Sequence, residues 1–196
     1  EQLQSVCTTA HAEGLRTHLD GARVWHAIIA SNHNAKTITA QFDTVSACFS
    51  KGLGCPAGSV LMGTKDVIRR AHRIRKMFGG TMRQTGILAG AAAFAIDHQL
   101  ERLVEDHLHA KALATGINQI SGLSCDVENT ETNLVFIDID RSLGDGATLC
   151  RKLWKNGILA EALDPQRVRF VTHLGVTDAD IERAIQVTAD TCHEMD

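Results

Sequence analysis

The stretch TVSACFSKGLGCP, residues 44–56, decides the predicted fold, because it sets a lysine directly after an apolar run. Residues 44–50 are typical of a buried β-strand, and the glycines and the proline that follow Lys51 let the backbone turn tightly. In open α/β sheets, ligands bind at the carboxyl ends of the strands. We therefore expect the Lys51 amine to lie where a ligand can reach it.

A second strand ending lies upstream in RTHLDGAR, residues 16–23, with Asp20 at its tip. Residues 22–30 have the pattern of a short helix, so the two strands and this helix are predicted to form one βαβ unit. Right-handed crossovers set such strands side by side or one strand apart. Asp20 and Lys51 should then emerge at the same edge of an α/β sheet, roughly 5 to 10 Å apart.

A lysine and a carboxylate at one sheet edge are the groups that a pyridoxal phosphate site requires. The amine forms a Schiff base with the aldehyde, and the carboxylate keeps the pyridine nitrogen protonated, which makes the ring an electron sink. Each residue alone has an ordinary interpretation, because a strand-end Asp often caps a helix and a loop Lys is usually solvated. The pairing of Asp20 with Lys51 at matching strand ends favours the cofactor site.

The composition is that of a globular protein, with 196 residues of which 44% are hydrophobic. A net charge of -3 gives no general attraction to nucleic acid or to an anionic membrane, and we expect neither as a partner. The basic run 65–76 has no aromatic stacking platform beside it, so we interpret it as a solvated helix face or an anion site at an interface. No apolar run reaches the length of a transmembrane helix.

The cysteines and histidines do not form a recognisable disulfide framework or metal site. Six cysteines without a CxxC pair are typical of reduced thiols and predict a cytoplasmic location. We interpret Cys55, the cysteine nearest to the proposed chemistry, as a packing residue. His98, His107 and His109 are the tightest histidine cluster, but residues two apart on a helix point to different faces, so we expect no metal.

Two domains are expected, 1–121 and 122–196, separated by the turn at Ser121 and Gly122. The first would be part of a large cofactor-binding domain, and the second a small α+β domain. Because residues 2–12 have the pattern of the later part of a helix, we expect further chain before them. The other expected elements are an antiparallel hairpin strand at 58–63, helices at 65–77, 147–155 and 178–193, a long helix from 83 to about 107 whose pattern resumes to 120, and strands at 132–138, 158–160 and 168–171.

Four ordered motifs extend this interpretation: THLDGAR at 17–23, SKGLGCPAGS at 50–59, RKMFGGTMRQ at 75–84 and VRFVTH at 168–173. In these motifs the chain closely resembles the L-threonine aldolases, which are fold type I pyridoxal phosphate enzymes. The resemblance covers essentially all of the chain and corresponds to the C-terminal two-thirds of the family's length. It implies part of the fold type I large domain, a mostly parallel sheet with helices, followed by the small domain.

The resemblance implies roles for particular residues. The lysine of the SKG motif forms the internal aldimine and the aspartate of HLDGAR pairs with the pyridine nitrogen, which carries over to Lys51 and Asp20. Arg23 and Arg169 stand where the family binds the substrate carboxylate, a role that suits the planar guanidinium. Without the resemblance, Arg169 would be an ordinary strand arginine.

Lys76 and Arg83 stand in a stretch that lies near the site and the subunit contact in the resembled family. They are candidates for contacts with substrate and with the cofactor phosphate, or with a neighbouring subunit. The resemblance implies a homo-oligomer, dimer or tetramer, and an N-terminal segment that supplies the phosphate-binding loop.

The implied reaction is reversible cleavage of L-threonine or L-allo-threonine to glycine and acetaldehyde. Two alternatives stay open at this point. The chain could belong to a related lyase that acts on another β-hydroxy or β-substituted amino acid, because the motifs specify cofactor and carboxylate better than the leaving group. It could also be a non-catalytic structural fragment.

Overall fold

The computed structural model describes residues 2–195, and the chain divides between Leu103 and Val104 into two compact units. The first unit contains, in chain order, α1 (Gln2–Ala12), β1 (His18–Gly21), α2 (Val24–Ser31), α3 (Ala35–Thr39), β2 (Thr44–Cys48), β3 (Ser59–Gly63), α4 (Lys65–Met77) and α5 (Gly86–His98). None of the helices in residues 2–195 is both long and apolar enough to cross a membrane.

The first unit is built on a three-stranded sheet in the order β1-β2-β3. β1 and β2 are parallel neighbours, with Asp20 opposite Ser46, and α2 lies between them in sequence. β3 folds back antiparallel onto β2, so that Val60 lies opposite Ala47. The structure therefore confirms the predicted βαβ unit and the predicted hairpin.

Close packing of β1 against β2 requires a glycine at the end of β1. A Cβ atom at Gly21 would lie 2.4 Å from the carbonyl oxygen of Ser46, which is shorter than any tolerable contact. Val45 and Ala47 are buried on one face of β2, as the alternation of a half-buried strand requires. Gly21 at the end of the HLDG run is thus required because the backbone of β2 comes too close to leave room for a side chain.

The core of the first unit lies beneath the Lys51 loop. It consists of Leu53, Cys55, Ala92, Ala95 and Leu103, with Trp25, Ile29, Phe49 and Leu100 packed against it. Burial of this many apolar side chains accounts for the anchoring of the loop in the fold.

The prediction of a single long helix from Arg83 to about His107 is wrong. α5 ends at His98, and α6 (Leu103–Ile117) begins four positions after Gln99. The amide of Gln99 still donates to Ala95, while that of Leu103 donates to Leu100 across the break. No glycine or proline marks this position in the sequence; burial of Leu103 and packing of Leu100 against the core set the break.

The second unit holds a four-stranded antiparallel sheet in the order β4-β5-β7-β6. Its elements after α6 are β4 (Leu123–Ser124), β5 (Leu134–Ile139), α7 (Gly146–Lys155), β6 (Glu161–Asp164), β7 (Arg167–Val171) and α8 (Asp178–His193). Helices and sheet share one apolar core, to which Ile117, Val135, Ile137, Leu149, Leu153, Val168 and Ile181 contribute buried side chains. This is an α+β architecture of the kind expected for the C-terminal part.

The strand expected at 158–160 is displaced. The strand that pairs in the sheet is β6 at Glu161–Asp164. Ile158 and Ala160 lie before this strand and are partly buried against the core. Gly157, with φ of +79°, turns the chain out of α7, and the apolar run therefore marks packing rather than pairing. The short strand β4 was not expected at all.

The two divisions of the chain assign α6 differently. The sequence puts the boundary at 121–122, after this helix, whereas the contacts divide the chain after the first residue of the helix, Leu103. The reason is that Ala110, Ala114 and Ile117 on α6 are buried in the core of the second unit.

Candidate functional site

Asp20 lies exposed near the carboxyl end of β1. One of its carboxylate oxygens accepts a hydrogen bond from the backbone N–H of Ala22, at 3.1 Å. The N-cap residue of α2 is Arg23, so Asp20 is not the helix cap that its position in the sequence could suggest. A carboxylate has about four acceptor positions, and the local turn uses one of them.

Lys51 lies exposed in the turn that follows β2. The amide of Gly54 donates to the carbonyl oxygen of Lys51 at 2.8 Å, and Gly54 has φ of +70°, which favours glycine. The amide of Cys55 donates to the carbonyl oxygen of Phe49 at 3.1 Å. The lysine therefore projects from a hydrogen-bonded turn and not from a loose loop.

Trp25, on α2, holds the chain just before Lys51. Its indole N–H donates to the carbonyl oxygen of Cys48 at 3.0 Å, and its ring stacks on Phe49 with 6.1 Å between ring centroids. After the lysine, Leu53 is almost fully buried. The exposed Lys51 amine thus lies between two anchored segments of the chain. The sequence alone did not predict this anchoring by Trp25 and Leu53.

The substrate-binding candidates lie in different units. Arg23 is the N-cap residue of α2 in the first unit, shortly after Asp20 in the chain, and makes no side-chain cap hydrogen bond. Arg169 lies on β7 in the second unit, where it forms an ion pair with Glu161 on β6. The Nε atom of Arg169 is buried and has no hydrogen-bond partner among the described residues. A guanidinium with a spare buried donor is suited to bind a further carboxylate.

The remaining candidates lie on exposed parts of the first unit. Lys76 is in the last turn of α4, and Arg83 lies between α4 and α5. None of the residues in α4 is buried, in line with the interpretation of the basic run as a solvated helix face. Strand pairing brings Asp20 and Lys51 to one sheet edge, and the roles of these two residues and of the other candidates stay predictions.

The cysteines and histidines have structural environments. All six cysteines carry free thiols, and burial raises the pKa of the Cys55 thiol, whose sulfur contacts the Ala91 carbonyl at 3.5 Å. A raised pKa disfavours the thiolate, which is the nucleophile. His109 pairs with Asp178 at 3.1 Å, and within residues 2–195 no group of three His, Cys, Asp or Glu side chains could hold a metal ion.

Solved structures share this architecture. The Leishmania major threonine aldolase superposes with a TM-score of 0.75 at 18% identity, over 97% of this chain and 56% of its own. The Sphingomonas wittichii serine palmitoyltransferase does so with a TM-score of 0.70 at 14% identity, over 98% and 51%. The architecture is therefore that of the fold type I pyridoxal phosphate enzymes, which confirms the predicted fold class.

Sequence comparison narrows this class to one family. The pattern of the family described as Beta-eliminating lyase matches residues 1–140, and the chain belongs to that family. The probable low-specificity L-threonine aldolase 2 of Arabidopsis thaliana is 39% identical over 183 residues, covering 93% of this chain and 52% of the relative. The low specificity L-threonine aldolase of Escherichia coli (strain K12) is 38% identical over 177 residues, covering 90% and 51%.

The chain spans about half the length of the curated relatives that it matches, so the expected two-thirds of the family's length is wrong. The resemblance to threonine aldolases expected from the four motifs is confirmed at the level of sequence.

Proposed function

We propose that this chain is the cofactor-anchoring part of a pyridoxal phosphate-dependent aldolase that cleaves L-threonine or L-allo-threonine to glycine and acetaldehyde. The single observation that supports this most is that Asp20 lies near the carboxyl end of β1 and Lys51 follows the carboxyl end of β2, since these two strands are parallel and directly paired. The relatives named as L-threonine aldolases support the choice of reaction.

The residues at this sheet edge fit the cofactor. Lys51 offers an exposed primary amine for the aldehyde carbon, and Asp20 offers a carboxylate with unused acceptor positions for the ring N–H. Arg83 is the proposed contact for the phosphate. When bound, pyridoxal phosphate supplies the electron sink for bond cleavage at Cα of an amino acid.

Substrate binding is assigned to Arg23, Arg169 and Lys76. The buried, unpartnered Nε of Arg169 supports a second carboxylate ligand besides Glu161. Two-point binding by a guanidinium would fix the orientation of the substrate carboxylate and thereby of the amino acid whose Cα–Cβ bond is cleaved. Asp20 would hold the ring nitrogen of the cofactor in its protonated form, which maintains the electron sink.

β-Elimination is the second candidate reaction, because the family that matches residues 1–140 is described by that chemistry. The two reactions give different products from L-threonine. Aldol cleavage yields glycine and acetaldehyde, whereas loss of the β-hydroxyl as water yields a 2-oxo acid and ammonia.

The surroundings of the protein are part of the proposal. We infer a homo-oligomer, a dimer or tetramer, that also includes an N-terminal segment of the same protein, and a cytoplasmic location in amino-acid metabolism. Large apolar side chains are exposed on the first unit at Leu61, Met62, Met77, Phe78, Met82, Ile87 and Phe94. Such a concentration is typical of surfaces that another chain segment or subunit covers.

The test uses the longest natural form of the protein, incubated with pyridoxal phosphate and reduced with borohydride. Reduction makes the lysine–cofactor bond permanent, and peptide mass mapping should find it on Lys51. Lys51→Ala should abolish the modification, while Lys76→Ala should retain it. Modification retained in Lys51→Ala would refute the assignment.

Product analysis with L-threonine, L-allo-threonine and L-serine then separates the reactions. Glycine with acetaldehyde supports the aldolase, a 2-oxo acid with ammonia supports elimination, and no product from a cofactor-loaded protein supports a non-catalytic fragment.

A further inference from the structure

His26 is the only polar side chain that is buried among the described residues of the first unit, with an exposed fraction of 1%. It lies on α2, the first of the two helices between β1, which carries Asp20, and β2, which precedes Lys51. A buried histidine costs free energy unless it has a specific contact to make, so its surroundings identify what it does.

The imidazole ring of His26 lies directly against the backbone of Gly52, the residue after Lys51. A Cβ atom at Gly52 would lie 2.0 Å from Cε1 and 2.6 Å from Nε2 of His26, and 2.8 Å from Cδ2 of Leu103. The ring therefore occupies the volume that any side chain at position 52 would need. Gly52 is required there because of His26 and not because of its own backbone angle, since its φ is not in the left-handed region.

Trp25 and His26 together support both sides of Lys51. The Trp25 indole binds the Cys48 carbonyl and stacks on Phe49, before the lysine. The His26 ring supports Gly52, after the lysine, and the side chain of Arg102 approaches the Gly52 carbonyl oxygen at 3.5 Å. Consecutive residues of one helix thus fix the backbone on either side of the exposed amine.

We propose that His26 is a positioning residue for Lys51. Its ring supports the Gly52 backbone and thereby fixes where the Lys51 side chain leaves the carboxyl edge of β2. This rests on the proposed function of Lys51 as the cofactor-anchoring lysine. If the His26 ring only filled the core, a substitution of Gly52 would slow cofactor trapping on Lys51 by the same factor with and without His26.

The test is a double-mutant cycle on the longest natural form of the protein, with His26→Ala, Gly52→Ala and the double variant. The readout is the rate of borohydride-trapped pyridoxal phosphate on Lys51, measured by peptide mass. Gly52→Ala should slow trapping roughly tenfold and His26→Ala roughly threefold, while the double variant should be faster than Gly52→Ala alone, because the alanine methyl then has room.

Matched controls separate local from general damage. Gly90→Ala introduces the same methyl group where nothing lies within 4 Å, and His33→Ala removes an exposed histidine just beyond α2. Both should trap within about twofold of the unsubstituted protein. Equal slowing by Gly52→Ala with and without His26 would overturn the proposal, as would normal trapping in a folded His26→Ala.

A second readout needs no cofactor. Hydrogen exchange of the Gly54 and Cys55 amides, which close the Lys51 turn, should accelerate about tenfold in His26→Ala and in Gly52→Ala. If the unsubstituted protein traps no cofactor on Lys51, the proposed function fails, and this exchange still tests the support of the turn. Unchanged exchange in both variants would overturn the positioning role.

Discussion

The chemistry assigned to Asp20 depends on its charge, and this can be tested without changing its shape. An amide in place of the carboxylate keeps the hydrogen bond from Ala22 possible but cannot stabilise a protonated pyridine nitrogen. We expect Asp20→Asn to bind cofactor while turnover falls about a hundredfold or more. Steady-state kinetics with a cofactor titration measures both quantities.

Asp66→Asn is the control for this experiment, because Asp66 is an exposed residue of α4 paired with Arg69. It should turn over normally. Near-normal turnover in Asp20→Asn as well would mean that the carboxylate facing the ring lies elsewhere.

The carboxylate-binding role of Arg169 predicts an effect of geometry rather than of charge. Arg169→Lys keeps the positive charge and removes the paired donors of the guanidinium, so KM for the amino acid should rise roughly tenfold. Arg167→Lys is a matched control on the same strand, where the arginine pairs with Asp138 at 3.4 Å. If KM is unchanged in Arg169→Lys, the residue is structural and serves only its ion pair with Glu161.

Asp43 joins three segments of the first unit. Its carboxylate accepts hydrogen bonds from the Thr17 amide at 2.8 Å, from Arg16 at 2.7 Å and from His11 at 3.1 Å. These contacts connect the end of α1 and the start of β1 to the residue before β2. Together these hydrogen bonds, above all the one from the Thr17 amide, hold the pKa of Asp43 well below its usual range.

A lowered pKa has a defined consequence for stability. Between the folded and unfolded pKa values the unfolded chain binds more protons, so Asp43 stabilises the fold above its unfolded pKa, near 3.9 in model peptides, and loses this as pH falls. We expect Asp43→Asn to lower Tm at pH 7 and to flatten the loss of stability below about pH 5. Thermal unfolding across pH 3 to 8 measures this, and an unchanged acid profile would contradict it.

The exposed apolar side chains of the first unit predict that its stability depends on other chain segments. β3 is exposed along most of its length, including Leu61 and Met62, and a strand with a free edge tends to pair further. We expect the 196-residue chain alone to associate or aggregate and to bind pyridoxal phosphate weakly. Size-exclusion chromatography with light scattering, run beside a cofactor titration, is the measurement.

The longest natural form of the protein is the reference for that experiment, and it should elute as a defined oligomer that binds the cofactor tightly. A monodisperse monomer of the 196-residue chain that binds cofactor tightly and cleaves threonine would contradict the proposed dependence.

Local signals were sufficient for much of the fold. Helices at 65–77 and 178–193 have the predicted bounds, because each has a clear start residue and an uninterrupted helical pattern. The parallel pair of β1 and β2 followed from two strand patterns, a short helix and glycines that end the strands. Because parallel neighbours end at the same side of a sheet, these patterns also suffice to place Asp20 and Lys51 at one sheet edge.

Periodicity, turn residues and crossover handedness are local or general rules, and they therefore predict the architecture and the positions of Asp20 and Lys51 at the strand ends. The break between α5 and α6, the pairing of Glu161 with Arg169 and the support of Lys51 by Trp25 and His26 are visible only in the folded structure. Each of these depends on which side chains meet across the fold, and such contacts follow from packing that no local pattern encodes.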